Sequence, residues 1–297
     1  MKFAYLVMVH EFNSILEILL ALLDDPRNDI YIHVDKKSVS FPYEKIERLV
    51  TESQLYYVPQ VDVIWGDVSQ IHAEMSLLEY ATSQNTYDYY HLLSGSDLPL
   101  KSQDAIHEYF KMHEGDEFVD LFSSEFNLQN RVNYYNFFRK GIGRGSTPYT
   151  KLLKKFSHTI VYFQKLLGIK RNKFTKFQKG ANWFSITDSF ARYVVEKREW
   201  IEKVFAYTEC GDEVFLQTIL INSDYFQNVH SLDYDNSVNT IKRLIIFENY
   251  KPHVFIENDL ELLLDTSALF ARKFDQGVSD IVVSKLYDKL KGDKRES

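Results

Sequence analysis

The stretch Asp29-Ile30-Tyr31-Ile32-His33-Val34-Asp35-Lys36-Lys37-Ser38 is a short β-branched and aromatic run that stops at a polar turn. It reads as a strand with Asp35 at its end. Upstream, Lys2–His10 has the same character, and an apolar-periodic helix, Ser14–Leu23, lies between the two. Downstream the alternation continues. A helix is expected over Tyr43–Val50, a strand over Gln54–Val58, helical spacing across Val68–Ala81, and a strand over Tyr89–Leu93 that ends at Ser94-Gly95-Ser96-Asp97. Strands separated by single helices predict an α/β fold with a mainly parallel, doubly wound sheet. In such sheets ligands sit beyond the carboxyl ends of the strands, which selects His10-Glu11, Asp35–Ser38 and Ser94–Asp97.

The second half is less regular. Strands are expected over Phe118–Phe122, Asn182–Ile186, Arg243–Phe247 and Ala268–Phe274. Helices are expected over Ser189–Val204, Asp212–Ile221, Asn258–Leu264 and Val278–Leu290, with Lys291–Ser297 a polar end that frays. Between the strands, Tyr149–Leu167 sets Leu152, Leu153, Phe156, Ile160, Phe163 and Leu167 on one helical face. No repeat or low-complexity linker interrupts the chain, so residues 1–297 are expected to form one domain.

Composition narrows the class. With 45% hydrophobic and 26% charged residues the chain is ordinary for a globular protein. Aromatics reach 15%, which suits stacking on sugar rings and nucleobases and equally suits a Phe-rich core. The single cysteine, Cys210, excludes an intrachain disulfide. The apolar run at Met1–His10 is too short for a signal peptide or anchor, so a cytoplasmic location is expected. The net charge of −7 is unevenly spread. Arg139–Lys179 holds twelve Lys and Arg with no Asp or Glu, leaving 23 basic against 42 acidic residues elsewhere.

Few residues have a pattern that carries chemistry. Asp212-Glu213 opens an expected helix after Cys210-Gly211. Both acids can cap it, or one can cap while the other faces a cleft as a general base. Gly and small hydroxyls in Ser94-Gly95-Ser96-Asp97 permit close backbone approach to a ligand. Asp35 can accept from a ribose or a uracil, or cap the next turn. In Ala271-Arg272-Lys273-Phe274-Asp275 two adjacent cations point to opposite faces of a strand. One of them can reach inward to a diphosphate, or both can guard an edge. The spaced pair in Asp233-Tyr234-Asp235 falls in a late polar loop, no Cys/His cluster suggests zinc, and Gly141-Ile142-Gly143-Arg144-Gly145 lacks a preceding strand.

Six segments in order resemble the core-2/I-branching glycosyltransferase family (glycosyltransferase family 14), which includes β-1,6-N-acetylglucosaminyltransferases and peptide O-xylosyltransferases. They are Ile30–Ser38; Trp65-Gly66 before the helix at Ser69–Leu78; Tyr90–Leu100; Lys179-Gly180-Ala181-Asn182-Trp183-Phe184-Ser185-Ile186; Asp212-Glu213-Val214-Phe215; and Leu269–Asp275. The resemblance implies a GT-A-type, Rossmann-like mixed sheet flanked by helices, with an inserted basic helical region. It divides the chain into a nucleotide-sugar half (1–125), the insertion (126–180) and an acceptor and catalytic half (181–290). It further implies inverting transfer from a UDP-sugar, with Glu213 as base and basic side chains, rather than a metal, holding the diphosphate. Lys273 is one such cation; of Lys251, Arg243 and their neighbours, Lys251 is favoured as the second.

The donor-binding set expected from this resemblance is His10, Asp35, Ser94, Gly95, Ser96, Asp97, Lys251, Arg272 and Lys273. The acceptor set is Trp183, Asp212 and Arg131. No metal or other cofactor is expected, and the UDP-sugar is a substrate. GlcNAc is the leading donor sugar, with xylose, galactose and glucuronic acid as alternatives; a non-catalytic sugar- or nucleotide-binding protein is the other class. The acceptor is expected to be a saccharide, glycolipid or glycoprotein in polysaccharide biosynthesis. The basic stretch at residues 139–179 either docks peripherally on an anionic membrane or packs as a lid with its charges in water. Overall acidity argues against nucleic acid.

Overall fold

Tyr5 and Leu6 point to opposite sides of one strand and both are fully buried, so the sheet that contains them is covered on both faces. The computed structural model describes residues 1–123, 128–173, 175–234, 237–249 and 251–292. Its strands are β1 (Phe3–Val9), β2 (Asn28–Val34), β3 (Gln54–Tyr57), β4 (Tyr89–Ser94), β5 (Asp97–Pro99), β6 (Phe118–Val119), β7 (Phe184–Thr187), β8 (Arg243–Ile245), β9 (Phe247–Glu248), β10 (Lys251–Pro252) and β11 (Phe270–Arg272). Six of them form the central sheet in the order β3-β2-β1-β4-β7-β6. The first four run parallel, and β7 runs against both β4 and β6. The sheet is thus mixed and mainly parallel, as expected. A second, small sheet in the order β5-β11-β8 packs beside it, and β9 and β10 form a hairpin.

The helices are α1 (Ser14–Leu23), α2 (Tyr43–Leu49), α3 (Ser69–Gln84), α4 (Gln103–Met112), α5 (Gln129–Val132), α6 (Arg139–Ile142), α7 (Pro148–Leu166), α8 (Asp188–Glu196), α9 (Arg198–Phe205), α10 (Phe215–Ile221), α11 (Leu260–Asp265) and α12 (Asp280–Gly292). Phe3, Tyr5, Val7 and Val9 pack with α1, α4, α12 and the small sheet on one face. Ala4 and Leu6 pack with α3, α8, α9 and α10 on the other. Each fully buried large apolar side chain contributes roughly 1.5–3 kcal/mol relative to exposure, so these two layers hold the strands flat between them. Side-chain caps fix where helices begin: Asn13 accepts from Leu16 N at 3.0 Å and Thr187 accepts from Phe190 N at 3.3 Å.

Several expectations change. The helix expected over Ser189–Val204 is two helices that break at Lys197. The strand at Phe118 is shorter than the pattern suggested, and that expected over Ala268–Phe274 is confined to Phe270–Arg272. Helix α4 had no counterpart in the pattern, although Ser102 caps it by accepting from Ala105 N at 3.3 Å. Asp212–Ile221 is not one helix capped by Asp212. A 3₁₀ turn, Gly211–Glu213, precedes α10, whose cap position is Val214 with no side-chain bond. Residues 293–297, most of the end expected to fray, lie outside the described residues.

The insertion is present as α5–α7 between β6 and β7, and α7 packs by a polar face rather than by its Leu/Phe face. Its buried residues are Ser157, Val161 and Gln164. Gln164 accepts from Tyr135 N at 2.8 Å and donates to Tyr135 O at 3.0 Å, while Ser157 donates to Phe137 O at 3.1 Å. The loop backbone at 135–137 needs hydrogen-bond partners, and these polar side chains supply them. Leu152, Phe156, Phe163 and Leu167, from the expected apolar face, are exposed, as is Leu166. Among the described residues no helix is long and apolar enough to cross a membrane.

Candidate active site

The parallel register gathers the expected residues at one edge. Val9 pairs with Val34, and Met8 with Ser94, so His10, Asp35 and the 94–97 turn follow three adjacent strand ends. Because β7 runs the other way, it starts at this edge: His91 pairs with Ser185, and Phe184 pairs with Val119. Asp120 therefore leaves, and Trp183 arrives, beside the same strand ends.

Asp97 organises the turn. Its buried carboxylate accepts from Ser94 N at 2.7 Å and Ser94 Oγ at 3.0 Å. The Arg272 guanidinium donates to Asp97 Oδ1 at 2.8 Å, also reaches Ser94 Oγ, and lies 5.1 Å over the Trp183 ring. A Cβ on Gly95 would come within 3.3 Å of Val9 Cγ1, so this turn lies close on the end of β1. Arg272 thus braces the turn, while Trp183, expected on the acceptor side, forms its platform. Asp35 is buried and accepts from Lys37 N at 2.9 Å and pairs with Lys37 Nζ at 3.0 Å. His10 is exposed beside Glu11.

The late cations separate. Arg243 is buried within the core, donates to Phe184 O at 3.1 Å, and has its pKa drawn down to about 10 by burial, so it is no surface ligand. Lys251 is exposed on the β9–β10 hairpin, and Lys273 Nζ meets Asp275 at 2.7 Å. The two lie on adjoining segments, since Lys273 N donates to His253 O at 3.3 Å and Phe255 N donates to Lys273 O at 3.0 Å.

Asp212 and Glu213 are adjacent in sequence and opposite in environment. Asp212 is turned inward, where Gln70 Nε2 donates to its Oδ2 at 2.7 Å; Gln70 in turn accepts from Gly66 N. Gly66 O takes Cys210 N at 3.1 Å and Arg139 Nε at 3.2 Å, so the Trp65-Gly66 segment supports the turn from beneath. Burial, and then the nearness of Glu213, pushes the Asp212 carboxyl up to about 7. Glu74, one turn along α3 from Gln70, is buried with both oxygens unpartnered; burial and then Asp212 hold it well above the usual carboxylate range. Burial likewise pushes the Cys210 thiol up to about 12, which makes it a poor nucleophile.

Glu213 instead reaches the surface. Its Oε2 accepts from Arg131 at 2.9 Å and lies 3.5 Å from Lys179 Nζ. Its carbonyl accepts from Gly180 N at 3.0 Å, and a Cβ on Gly180 would fall 1.8 Å from Asp120 O. Only glycine permits that approach, which ties the end of β6 to the turn carrying Glu213. The fold therefore brings Arg131 and Lys179 onto Glu213, and sets Trp183 against Arg272, which holds the 94–97 turn. Lys179 and Gln70 were not singled out as site residues from sequence. Lys179 opens a resemblance segment and was seen only as one more charge in the basic run. Asp233 lies in a loop, as expected, and Asp235 lies outside the described residues.

Residues 3–232 match the core-2/I-branching enzyme family. Among relatives, the xylosyltransferase oxt of Drosophila melanogaster is 24% identical over 299 residues, covering 92% of this chain and 32% of that protein. Xylosyltransferase 2 of Rattus norvegicus is 24% identical over 305 residues, covering 95% and 33%. The chain spans about a third of the length of these relatives. Among solved structures, core-mannan synthase A of Aspergillus fumigatus in its Mn/GDP form aligns with TM-score 0.41 at 11% identity, covering 79% of this chain and 73% of the other. Mouse xyloside xylosyltransferase 1, apo form, aligns with TM-score 0.39 at 10% identity, covering 91% and 97%. Both structural likenesses are too distant to carry an argument.

Proposed function

This chain belongs to the core-2/I-branching enzyme family, and we propose that it is an inverting glycosyltransferase of GT-A type using a UDP-sugar. The acceptor hydroxyl attacks the anomeric carbon from the face opposite UDP. Its proton passes to a Glu213 carboxylate oxygen, the bond from that carbon to the diphosphate oxygen breaks, and UDP leaves with the electron pair. The observation that carries this reading is the contrast within one acidic pair. Burial makes Asp212 a support, whereas Glu213 stands at the carboxyl edge of the sheet between Arg131 and Lys179. Both cations hold the carboxylate in place, and an incoming hydroxyl competes with them for its oxygen.

Lys273, with Lys251 on the adjoining segment, neutralises charge on the departing diphosphate, the electrostatic part that a metal plays elsewhere. Asp35 and the 94–97 turn receive the nucleotide, and Trp183 lies between the donor and acceptor sides. UDP-GlcNAc is the leading donor; UDP-xylose is the first alternative, because the matched relatives are named xylosyltransferases. Following UDP release and thermal shift across a panel of UDP-sugars, with and without EDTA, tests the assignment. Turnover with one donor that survives EDTA is expected. UDP binding with no release on any acceptor would favour a sugar-binding protein, and loss of initial rate in EDTA would overturn the metal-free reading.

The insertion is read as a peripheral contact for an anionic bilayer, bringing the site to a lipid-linked saccharide. The exposed row Leu152, Phe156, Phe163, Leu166 and Leu167 lies among Lys151, Lys154, Lys155 and Lys165 with no acid on the helix. Each basic residue near such a surface contributes about 1 kcal/mol. Flotation with anionic liposomes but not with neutral ones is expected, and equal behaviour on both would remove the membrane role.

A further inference from the structure

Sequence spacing suggests no metal cluster, yet the fold brings together three ligand-type side chains far from the catalytic edge. His113 follows α4, Asp116 lies in the turn before β6, and His230 comes from a segment more than a hundred residues on. One candidate donor atom from each lies within 4.8 Å of the other two. Both imidazoles aim Nδ1 at the same carboxylate oxygen, His230 at 2.9 Å and His113 at 3.3 Å from Asp116 Oδ2. Tetrahedral zinc with bonds near 2.0 Å separates its ligand atoms by about 3.3 Å, so these spacings need little adjustment to admit an ion.

The donors are also held in place. The single Tyr89 O–H points between His113 O at 2.6 Å and Asp116 O at 3.0 Å, sharing its proton between them, which fixes the turn around Gly115. His230 N donates to Glu117 O at 3.0 Å, and Glu117 N donates to Asn228 O at 2.7 Å, which staples the distant segment to the start of β6. The His230 ring stacks on Phe118 with centroids 4.1 Å apart, and Tyr109 lies 4.5 Å from the His113 ring. All three ligands are partly exposed, which leaves a path for an ion and for water in an open coordination position.

We propose that His113, Asp116 and His230 form a site for one borderline divalent transition ion, with zinc the leading occupant, that fastens the segment after Asn228 to the turn before β6. Two imidazoles and one carboxylate suit zinc, cobalt or nickel; calcium and magnesium prefer all-oxygen sets. The cluster lies at the start of β4 and β6, a strand's length from the edge that carries Glu213, so the ion supports the fold and takes no part in transfer.

The test uses untagged full-length protein stripped with chelator and then dialysed. Titration with zinc should show one equivalent bound and raise Tm by several degrees. Cobalt should give visible d–d bands that zinc abolishes. His113→Gln, at a partly exposed position, should lose the bound equivalent, the Tm rise and the bands, while keeping the stripped protein's Tm and its rate of UDP release. A second variant, Asp116→Asn, should behave alike. Absence of stoichiometric binding to the parent protein, or binding undiminished in both variants, would overturn the site. Neither outcome bears on the glycosyltransferase assignment, which is read from UDP release.

Discussion

Replacing Glu213 by Gln removes one negative charge and keeps the side chain's shape. The structure allows its two consequences to be separated. For stability, the charge lost belongs to pairs with Arg131 and Lys179, but the Glu213 side chain is 35% exposed and that of Arg131 is 32% exposed. Solvent screening at such a site discounts the pairs to about 1 kcal/mol or less. A compensation acts beside it, because Glu213 is one of the causes holding the Asp212 carboxyl up at about 7, and a neutral Gln relieves that repulsion. The variant should therefore fold with a Tm within a few degrees of the parent. For transfer, loss of a positioned base costs about 10²–10⁴ in rate. The assay is UDP release at saturating donor and acceptor, paired with calorimetric UDP affinity and thermal melting of the same preparation. A drop of at least a hundredfold in kcat, with UDP affinity within about threefold, is expected. Turnover within tenfold of the parent would remove Glu213 from the mechanism. A rate loss matched by a large fall in Tm would show that the pair with Arg131 is chiefly structural.

Lys273→Ala loses only a partly exposed pair with Asp275, so its melting should hardly change while kcat falls at least tenfold; an unchanged kcat would mean that this lysine does not meet the leaving group. Gly180→Ala places a methyl where Asp120 O already sits, and unfolding in urea should show a loss of about 2–3 kcal/mol; an unchanged midpoint would contradict the packing between β6 and the Glu213 turn. His107, buried and stacked on Phe3, has its pKa drawn down to about 4 from 6.5 by burial and then by Arg27. Its folded pKa lies below its unfolded one, so its contribution is present above pH 6.5 and is lost as pH falls toward 4, by up to about 3 kcal/mol. His107→Gln should flatten the fall in urea stability between pH 7.5 and 5, and identical slopes for the two proteins would refute the assignment.

The parallel half was legible because its strands, buried on both faces, read as mainly apolar runs, and Ile30–Val34 does, interrupted only by His33. Ligand-side turns then followed from strand direction alone. What escaped the sequence were relations between distant segments. Asp212 looked like a helix cap because nothing local shows that Gln70 takes its carboxylate or that Glu74 is buried beside it. The apolar face of α7 was legible as a face, but whether it packs or stays open was not, because the partner α7 meets is loop backbone that demands Ser157 and Gln164. Lys179 was hidden among twelve similar charges until the fold placed one of them against Glu213. The His113, Asp116 and His230 group has no spacing signature at all.

One consequence follows from the reversed direction of β7. The chain departs the sheet at Asp120 and re-enters at Trp183 on the same side, so the excursion between them begins and ends at neighbouring points. A segment with adjoining ends behaves as an exchangeable cassette, which can be lengthened or replaced without displacing the strands on either side. Arg131 lies near one end of this cassette and Lys179 near the other, and both close on a single carboxylate. Divergence can therefore reshape everything between those anchors while the surroundings of Glu213 are inherited intact.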